Sequence, residues 1–456
     1  MTHRHIAVID IGKTNAKLVL VDAADLSEIE VITRPNTVLP GPPWPHFDVE
    51  AHWQFLLHGL RRFQHSHGID AISITTHGAC AALLDAEGML AAPILDYEHA
   101  GPDDLAREYD TLRPAFAETG SPRLTGGLNV GAQLHWQFAQ DPTLHARTHR
   151  IVTYPQFWGA RLTGVAATDV TSLGCHTDLW DPAKAAFSTL VDSLDIRDKM
   201  APRHVPSDIL GPILPEIAGL TRIPESTPVH CGIHDSNASL LPYLHSLQTP
   251  FSVVSTGTWI ITMSIGGTTP ALDPARDTLI NVTADGTPAP SARFMGGREH
   301  DIATGGAHVI PSAADIDAVF ADQVMLMPAV VPDTGPFKGR TAHWVGDEPP
   351  MGSGQRTAAV AFYLGLVTAE CLTSIGHEGV IVVEGPLAAN TLFLDMLSVA
   401  MSADVYRSAS VTGTSAGAAR LALDTDPPPA QLDLVKPDSV SRLQAYAAQW
   451  RAAVRT

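Results

Sequence analysis

The chain opens on two short apolar runs separated by a polar turn. Residues 6–11 are apolar except for Asp10, Gly12-Lys13-Thr14-Asn15 is polar, and residues 16–21 are apolar except for Lys17. Runs this short, rich in β-branched residues and bounded by turn formers, predict two strands joined as a hairpin. The same form returns about half a chain later. Phe251-Ser252-Val253-Val254-Ser255 predicts a strand, Thr256-Gly257-Thr258 a turn, and Trp259 to Ile265 a second strand. Two copies of one hairpin predict a duplicated lobe. Each turn could aim N–H groups and a hydroxyl at a shared cleft.

Between and after the hairpins, helical and strand patterns alternate. Residues 53–63 read as an amphipathic helix, and residues 71–84 as a strand, a glycine-containing turn and another strand. Residues 154–163 read as a short helix stopped by Gly164. Residues 357–375 predict a long helix. Residues 379–383 predict a buried strand running into the turn Glu384-Gly385-Pro386, and residues 390–401, 413–423 and 439–454 predict helices. This alternation is that of an α/β protein. The lobe boundary is placed just before the second hairpin, which gives an N-terminal lobe of residues 1–245 and a C-terminal lobe of residues 246–456.

A chain of 456 residues is too long for one ordinary core, which fits two lobes. Hydrophobic residues make up 45% and charged residues 17%, a folded composition rather than a disordered one. The net charge of -19 argues against nonspecific binding to nucleic acid or to an anionic membrane. It leaves room for a nucleotide, because phosphates are held by local N–H groups and a few cations. Cys80, Cys175, Cys231 and Cys371 form no CxxC pair and read as buried free thiols. No signal peptide is recognisable, and the apolar stretch at 358–367 reads as too short to span a bilayer. A cytoplasmic protein is expected, and a homodimer is compatible with everything above.

Five segments could carry chemistry. In Asp10-Ile11-Gly12-Lys13-Thr14-Asn15, Gly12 permits a tight turn, and the N–H groups with Thr14 and Asn15 can hold phosphate oxygens. Lys13 adds a cation there, and Asp10 can hold Mg²⁺ directly or through water. An ordinary β-turn is the competing reading, and GxxxxGK[ST] is absent, so this is no P-loop. Ser255-Thr256-Gly257-Thr258 is the second candidate, with Gly257 and Thr258 as phosphate contacts; recurrence raises both turns above plain hairpins. Third, Gly232-Ile233-His234-Asp235-Ser236-Asn237 places Asp235 near a strand-to-helix junction. Asp235 there is either a helix N-cap or a carboxylate that takes a proton from a substrate hydroxyl. His234 reads as a satisfied structural histidine. Fourth, Thr75-Thr76-His77-Gly78, with Asp96-Tyr97-Glu98-His99 as partner, could hydrogen-bond sugar hydroxyls and offer an apolar face. Fifth, Glu384-Gly385-Pro386 with Asn390 could lie against a nucleoside or form a plain strand-to-helix loop.

Together these segments resemble the FGGY carbohydrate kinase family, within the actin, hexokinase and Hsp70 ATPase superfamily. The resemblance runs from Ile6 to about Leu423. Residues 9–17 look like the first phosphate motif, 254–259 like the second, 382–397 like the adenosine motif, and 412–419 like the segment with a Glu-Ala-Thr turn. Arg161-Leu162-Thr163-Gly164 with Thr168-Asp169 matches a further stretch. The resemblance implies two ribonuclease H-like lobes with nucleotide and sugar in a cleft between them. It implies an ATP-dependent sugar kinase using ATP and Mg²⁺, with Asp235 as catalytic base and Asp10 at the metal. Gly12, Lys13, Thr14, Asn15, Gly257, Thr258, Gly385 and Asn390 would hold the nucleotide, and His77, Gly78, Tyr97, Glu98 and Asp235 the sugar. The form His234-Asp235-Ser236-Asn237-Ala238 resembles rhamnulose-type kinases and implies a ketose such as L-rhamnulose or L-fuculose. His77-Gly78 resembles xylulose-type kinases and keeps a pentulose open. A catalytically inactive, nucleotide-gated sugar sensor is the rival from another class. Glu384-Gly385-Pro386 replaces a glycine triplet, and Thr414-Ser415-Ala416 replaces Glu-Ala-Thr.

Overall fold

The repeated hairpins become the centres of two sheets. In a computed structural model that describes residues 4–307, 309–408, 413–423 and 429–455, the first hairpin pairs β1 (His5–Ile11) with β2 (Asn15–Asp22), in register from His5↔Asp22 to Ile11↔Ala16. The second pairs Phe251–Thr256 with Ile260–Ile265, from Phe251↔Ile265 to Thr256↔Ile260. At each bend the glycine N–H donates back across the turn, Gly12 to the Asn15 carbonyl and Gly257 to the Trp259 carbonyl, both at 2.9 Å.

The chain divides into two units. The first comprises Met1–Ser246, Ile280–Pro288 and Thr412–Pro429; the second comprises Leu247–Leu279, Ala289–Val411 and Ala430–Thr456. The main break thus falls one residue after the boundary read from the sequence, and two later segments return to the first unit. In the first unit the sheet runs β3 (Glu28–Pro35), β2, β1, Ala71–Thr76, Pro228–His230, Ile209–Pro212. Its joins are antiparallel, antiparallel, parallel, parallel and antiparallel. In the second unit Pro288–Phe294, Ile260–Ile265, Phe251–Thr256, Val380–Glu384, Val405–Ser408 and Leu432–Leu434 follow the same succession of joins. Both units therefore share one strand order, as the duplicated hairpin implied, and it is the two-lobe arrangement of ribonuclease H-like sheets that the family resemblance implied.

Because β1 alternates inward on both sides, it reads as a near-continuous apolar run. Ala7, Ile9 and Ile11 pack with Leu56, Leu60 and Phe63 of α1 (Val49–Ser66). Ile6 and Val8 pack on the opposite face with Ala238 and Leu241 of helix Asp235–Ser246 and with Ala418 and Ala419 of Gly413–Ala419. That second face is why the late segment belongs to the first unit: without it half of the β1 side chains would face water. In the second unit helix Gly354–Ser374 is long and apolar enough by composition to cross a membrane, longer than the 358–367 stretch suggested, but 83% of its apolar window is buried inside the protein. Residues 71–84 do form two strands, Ala71–Thr76 and Ala81–Leu84. The second leaves the main sheet and pairs antiparallel with Arg150–Thr153. All four cysteines are buried free thiols.

Candidate active site

In the first unit, three strands running the same way end together. Ile11 pairs with Thr76, and Ile233–His234 pairs with Thr75 and Thr76. The residues following those ends, Gly12, His77 and Asp235, are brought to one edge of the sheet, where open α/β sheets place their ligands.

Asp235 is the first residue of its helix. Its Oδ1 accepts from the Ser236 N–H at 2.6 Å and lies 3.2 Å from His234 Nε2. A capping carboxylate accepts from an N–H two or three residues on; this one takes its immediate neighbour, and its Oδ2 has no hydrogen-bond partner among the described residues. His77 is 5% exposed. Its Nδ1–H donates to the Gly78 carbonyl at 2.8 Å, which leaves Nε2 as a buried acceptor with no partner. Burial pushes the imidazole down to about 4, so it is neutral near pH 7. The rings of Phe47, Tyr97 and Tyr154 surround it at 5.1, 5.3 and 5.0 Å. Burial also holds the Tyr97 phenol protonated. The result is a cluster of aromatic rings around a lone buried acceptor, with the Asp235 carboxylate at the same sheet edge, a set suited to hydroxyl groups.

The Lys13 side chain turns toward this cluster. Its ammonium pairs with Asp96 and, at 3.3 Å, with Glu98, and lies 4.7 Å above the Tyr97 ring and 5.1 Å from that of Phe47. The physical reason is the local charge: two carboxylates and two aromatic faces draw the cation away from the turn it follows. Thr14 and Asn15 are exposed at the turn. Asp10 is buried, with Lys17 Nζ at 4.0 Å and the Ser415 hydroxyl donating at 3.3 Å. Burial raises its carboxyl to about 6. Gly78 leaves room for the His234 ring: a Cβ there would stand 2.7 Å from His234 Nε2.

The second unit holds a cavity of about 680 Å³, lined by Gly257, Thr258, Arg298, Asp301, Ile310, Thr357, Leu387, Asn390 and Leu392, among others. That size and this mixture of apolar walls and few polar groups suit a nucleoside. Helix Gly296–Thr304 begins against the second turn, so close that a Cβ on Gly297 would lie 2.1 Å from the Gly257 carbonyl. N–H groups of a helix start therefore stand beside Thr258, an arrangement that favours phosphate. Asn390 lines the cavity but spends its Oδ1 on capping helix Thr391–Met401, accepting from the Phe393 N–H at 3.1 Å. Gly385 does not line the cavity wall. Its contribution is a φ of +80°, and a Cβ there would meet the Thr256 carbonyl at 2.1 Å. Among the described residues no group of three or more metal-ligating side chains occurs.

Family comparison agrees with this geometry along nearly the whole chain. The profile of the FGGY carbohydrate kinase N-terminal domain matches residues 5–242, and that of the FGGY C-terminal domain matches residues 248–431. The chain belongs to the FGGY family of carbohydrate kinases. A solved structure similar to this chain, that of a carbohydrate kinase from Novosphingobium aromaticivorans, is 33% identical with a TM-score of 0.90, covering 100% of this chain and 99% of that one. Xylulose kinase from Lactobacillus acidophilus shares the fold at 14% identity and a TM-score of 0.81, covering 99% of this chain and 98% of that one. The L-fuculokinase of Salmonella typhi is 24% identical over 277 residues, which is 58% of this chain and 57% of that protein, so the match spans little more than half of the curated relative.

Within this FGGY chain the sequence signals located His77, Tyr97, Glu98 and Asp235 in one polar cluster and Gly257, Thr258 and Asn390 around one cavity. They gave no individual role to Lys17 and Ser415, which lie within segments they marked, and did not mark Arg298 or Cys175. Ser415 lies in the segment read as 412–419, whose first residue, Thr412, is outside the described residues. For Arg298, the Gly296-Gly297 pair opening a helix was a usable signal of close backbone approach. Nothing in the sequence pattern marked Cys175.

Proposed function

We propose that this chain is an ATP-dependent kinase of a small neutral ketose, of the L-fuculose or L-rhamnulose kind, with Asp235 as general base. The observation that carries the reading is that parallel strand ends bring Asp235, whose Oδ1 faces His234, to the same edge of the sheet as His77, whose Nε2 is buried with no partner among the described residues. A carboxylate so placed can accept the proton of an attacking hydroxyl, while a neutral imidazole and the Lys13 ammonium orient the neighbouring hydroxyls. The fuculokinase likeness supports a ketose, and the carboxylates of Asp96 and Glu98 disfavour an anionic sugar acid.

The nucleoside is assigned to the cavity around Thr258 and Asn390, with the Gly257-Thr258 turn and the Gly296–Thr304 helix start facing its phosphates. Asp10 is the carboxylate that would hold Mg²⁺. Burial raises its carboxyl to about 6, and a bound cation together with the nearby Ser415 hydroxyl would stabilise its charged form. When bound, Mg²⁺ neutralises phosphate charge during transfer.

A coupled ADP-release screen with L-fuculose, L-rhamnulose, D-xylulose, D-ribulose, glycerol and D-gluconate tests the reading. One of the first two should give the highest kcat/KM, and Asp235→Asn should lower kcat by roughly a hundredfold or more with an unchanged melting temperature. No sugar-stimulated ADP release, or a fully active Asn variant, overturns it.

A further inference from the structure

Cys175 follows the short helix Val170–Leu173 and is buried. Its Sγ lies 3.7 Å from His234 Nε2, and the same nitrogen lies 3.2 Å from Asp235 Oδ1. One imidazole edge is thus shared between a sulfur and the carboxylate assigned as the base. The other edge, Nδ1, is 3.5 Å from the Asn237 amide, whose oxygen otherwise has no partner among the described residues and accepts from an Nδ1–H once the amide is turned over. The frame around them is tight. The His234 N–H donates to Thr171 Oγ1 at 3.0 Å, Thr171 in turn donates to Asp169, and Asp169 caps the helix that leads into Cys175. Gly78 closes the remaining side: a Cβ there would sit 2.7 Å from His234 Nε2 and 3.5 Å from Cys175 Sγ.

We propose that Cys175 is a positioning residue for the reaction: as a thiolate it holds His234 as an imidazolium, and the imidazolium holds Oδ1 of Asp235 so that Oδ2 is turned to the acceptor hydroxyl. The step that sets this state moves one proton from the Cys175 thiol to the His234 ring. No electron is transferred and the net charge of the three groups does not change. Burial therefore opposes it less than it would oppose either ionisation alone. The other three cysteines show the contrast. Burial pushes the Cys80, Cys231 and Cys371 thiols up. Burial opposes ionisation of Cys175 as well, yet His176 and His234 beside it bring the thiol well below its ordinary value. Burial likewise opposes the charge on His234, and the Cys175 and Asp235 charges overcome it, raising the ring to about 9. Other charged or titratable groups bearing on this trio among the described residues are Asp169 behind His234, and Asp10, His77 and Tyr97 on the side of Asp235.

The functional consequence rests on Asp235 being the base, but the charge state can be read without turnover. In full-length protein labelled with ¹⁵N-histidine, the His234 ring is assigned with His234→Gln and titrated by NMR in the wild type, in Cys175→Ala and in Cys175→Ser. The wild-type ring should stay doubly protonated to about pH 9. Both variants should titrate at least about one pH unit lower, because serine keeps the hydrogen bond and the size but not the charge. Melting temperatures establish that the variants are folded, and the serine variant serves where alanine is not. A wild-type His234 that titrates as an ordinary imidazole, or a midpoint the cysteine variants leave unmoved, overturns the proposal. Failure of the kinase reading would show separately, as absent ADP release with every sugar.

Discussion

At the scale of single residues, the polar cluster depends on what each side chain is denied. His77 keeps an unpaired Nε2 because its Nδ1–H is spent on the Gly78 carbonyl and three aromatic rings exclude water. Replacing His77 with Phe preserves the ring packing and removes the acceptor. The KM for sugar should then rise roughly tenfold, the worth of one hydrogen bond, with the KM for ATP unchanged. Equal effects on both constants would place His77 outside the sugar pocket. Gly78 makes a sharper case. An alanine methyl would stand 2.7 and 2.9 Å from two atoms of the His234 ring, too close for the ring to keep its place. The ring must shift off Asp235, so Gly78→Ala should lower kcat by on the order of a hundredfold, as small displacements of catalytic groups do. Normal turnover in a folded Gly78→Ala protein would sever the link between His234 and the base. Lys13 shows where the sequence stops informing. Its place after Gly12 fixes its Cα at the turn, but the side chain follows Asp96 and Glu98, which lie more than eighty positions on. Cys175 is a similar case, since all four cysteines are buried and outside any disulfide, as their spacing implied, and only the contact with His234 sets one apart.

At the scale of elements, local chemistry was legible and long-range pairing was not. The hairpins were readable because apolar runs and glycine turns are local signals, and the duplication was readable because the signal occurs twice. Gly164 ends helix Tyr154–Thr163 in the left-handed conformation, φ +78°, as its position implied. The strand Ala81–Leu84, by contrast, has the same apolar pattern as a hairpin partner yet pairs with residues 150–153, a choice no local pattern contains. Asn390 carries two roles that substitution can separate. Its Oδ1 caps helix Thr391–Met401, so Asn390→Ala should cost about 1 kcal/mol of stability, whereas Asn390→Ser should retain the cap and lose little. If the amide also touches the nucleotide, the serine variant should nevertheless show a raised KM for ATP. A serine variant as unstable as alanine would remove the capping role, and one with an unaltered KM would remove the contact.

At the scale of the whole molecule, the buried histidines tie the fold to pH. His52 is fully buried on α1, with its Nε2 2.8 Å from Asn36 Oδ1. Asn36 in turn donates to the Gly12 carbonyl at 2.9 Å, so this histidine braces the first turn from behind. Burial, reinforced by the Arg34 charge, lowers its pKa from 6.5 to about 4. The sign follows from proton counts. Between these two values the unfolded chain binds a proton that the folded chain refuses, so the stability His52 contributes is complete above pH 6.5 and is lost as pH falls toward 4. His77, lowered to about 4 as well, acts in the same direction. Buried carboxylates such as Asp10, raised to about 6, act in the opposite direction over much of that range. The total slope is therefore a poor test, and a difference between variants is a good one. His52→Gln can still donate an amide hydrogen to Asn36 but does not titrate. Measured by denaturant unfolding of the first transition, its stability relative to the wild type should rise by about 2 kcal/mol between neutral pH and about pH 5. A difference that stays constant with pH would mean that His52 is protonated alike in both states, and that the turn holding Gly12 is braced by an imidazolium rather than by a neutral ring.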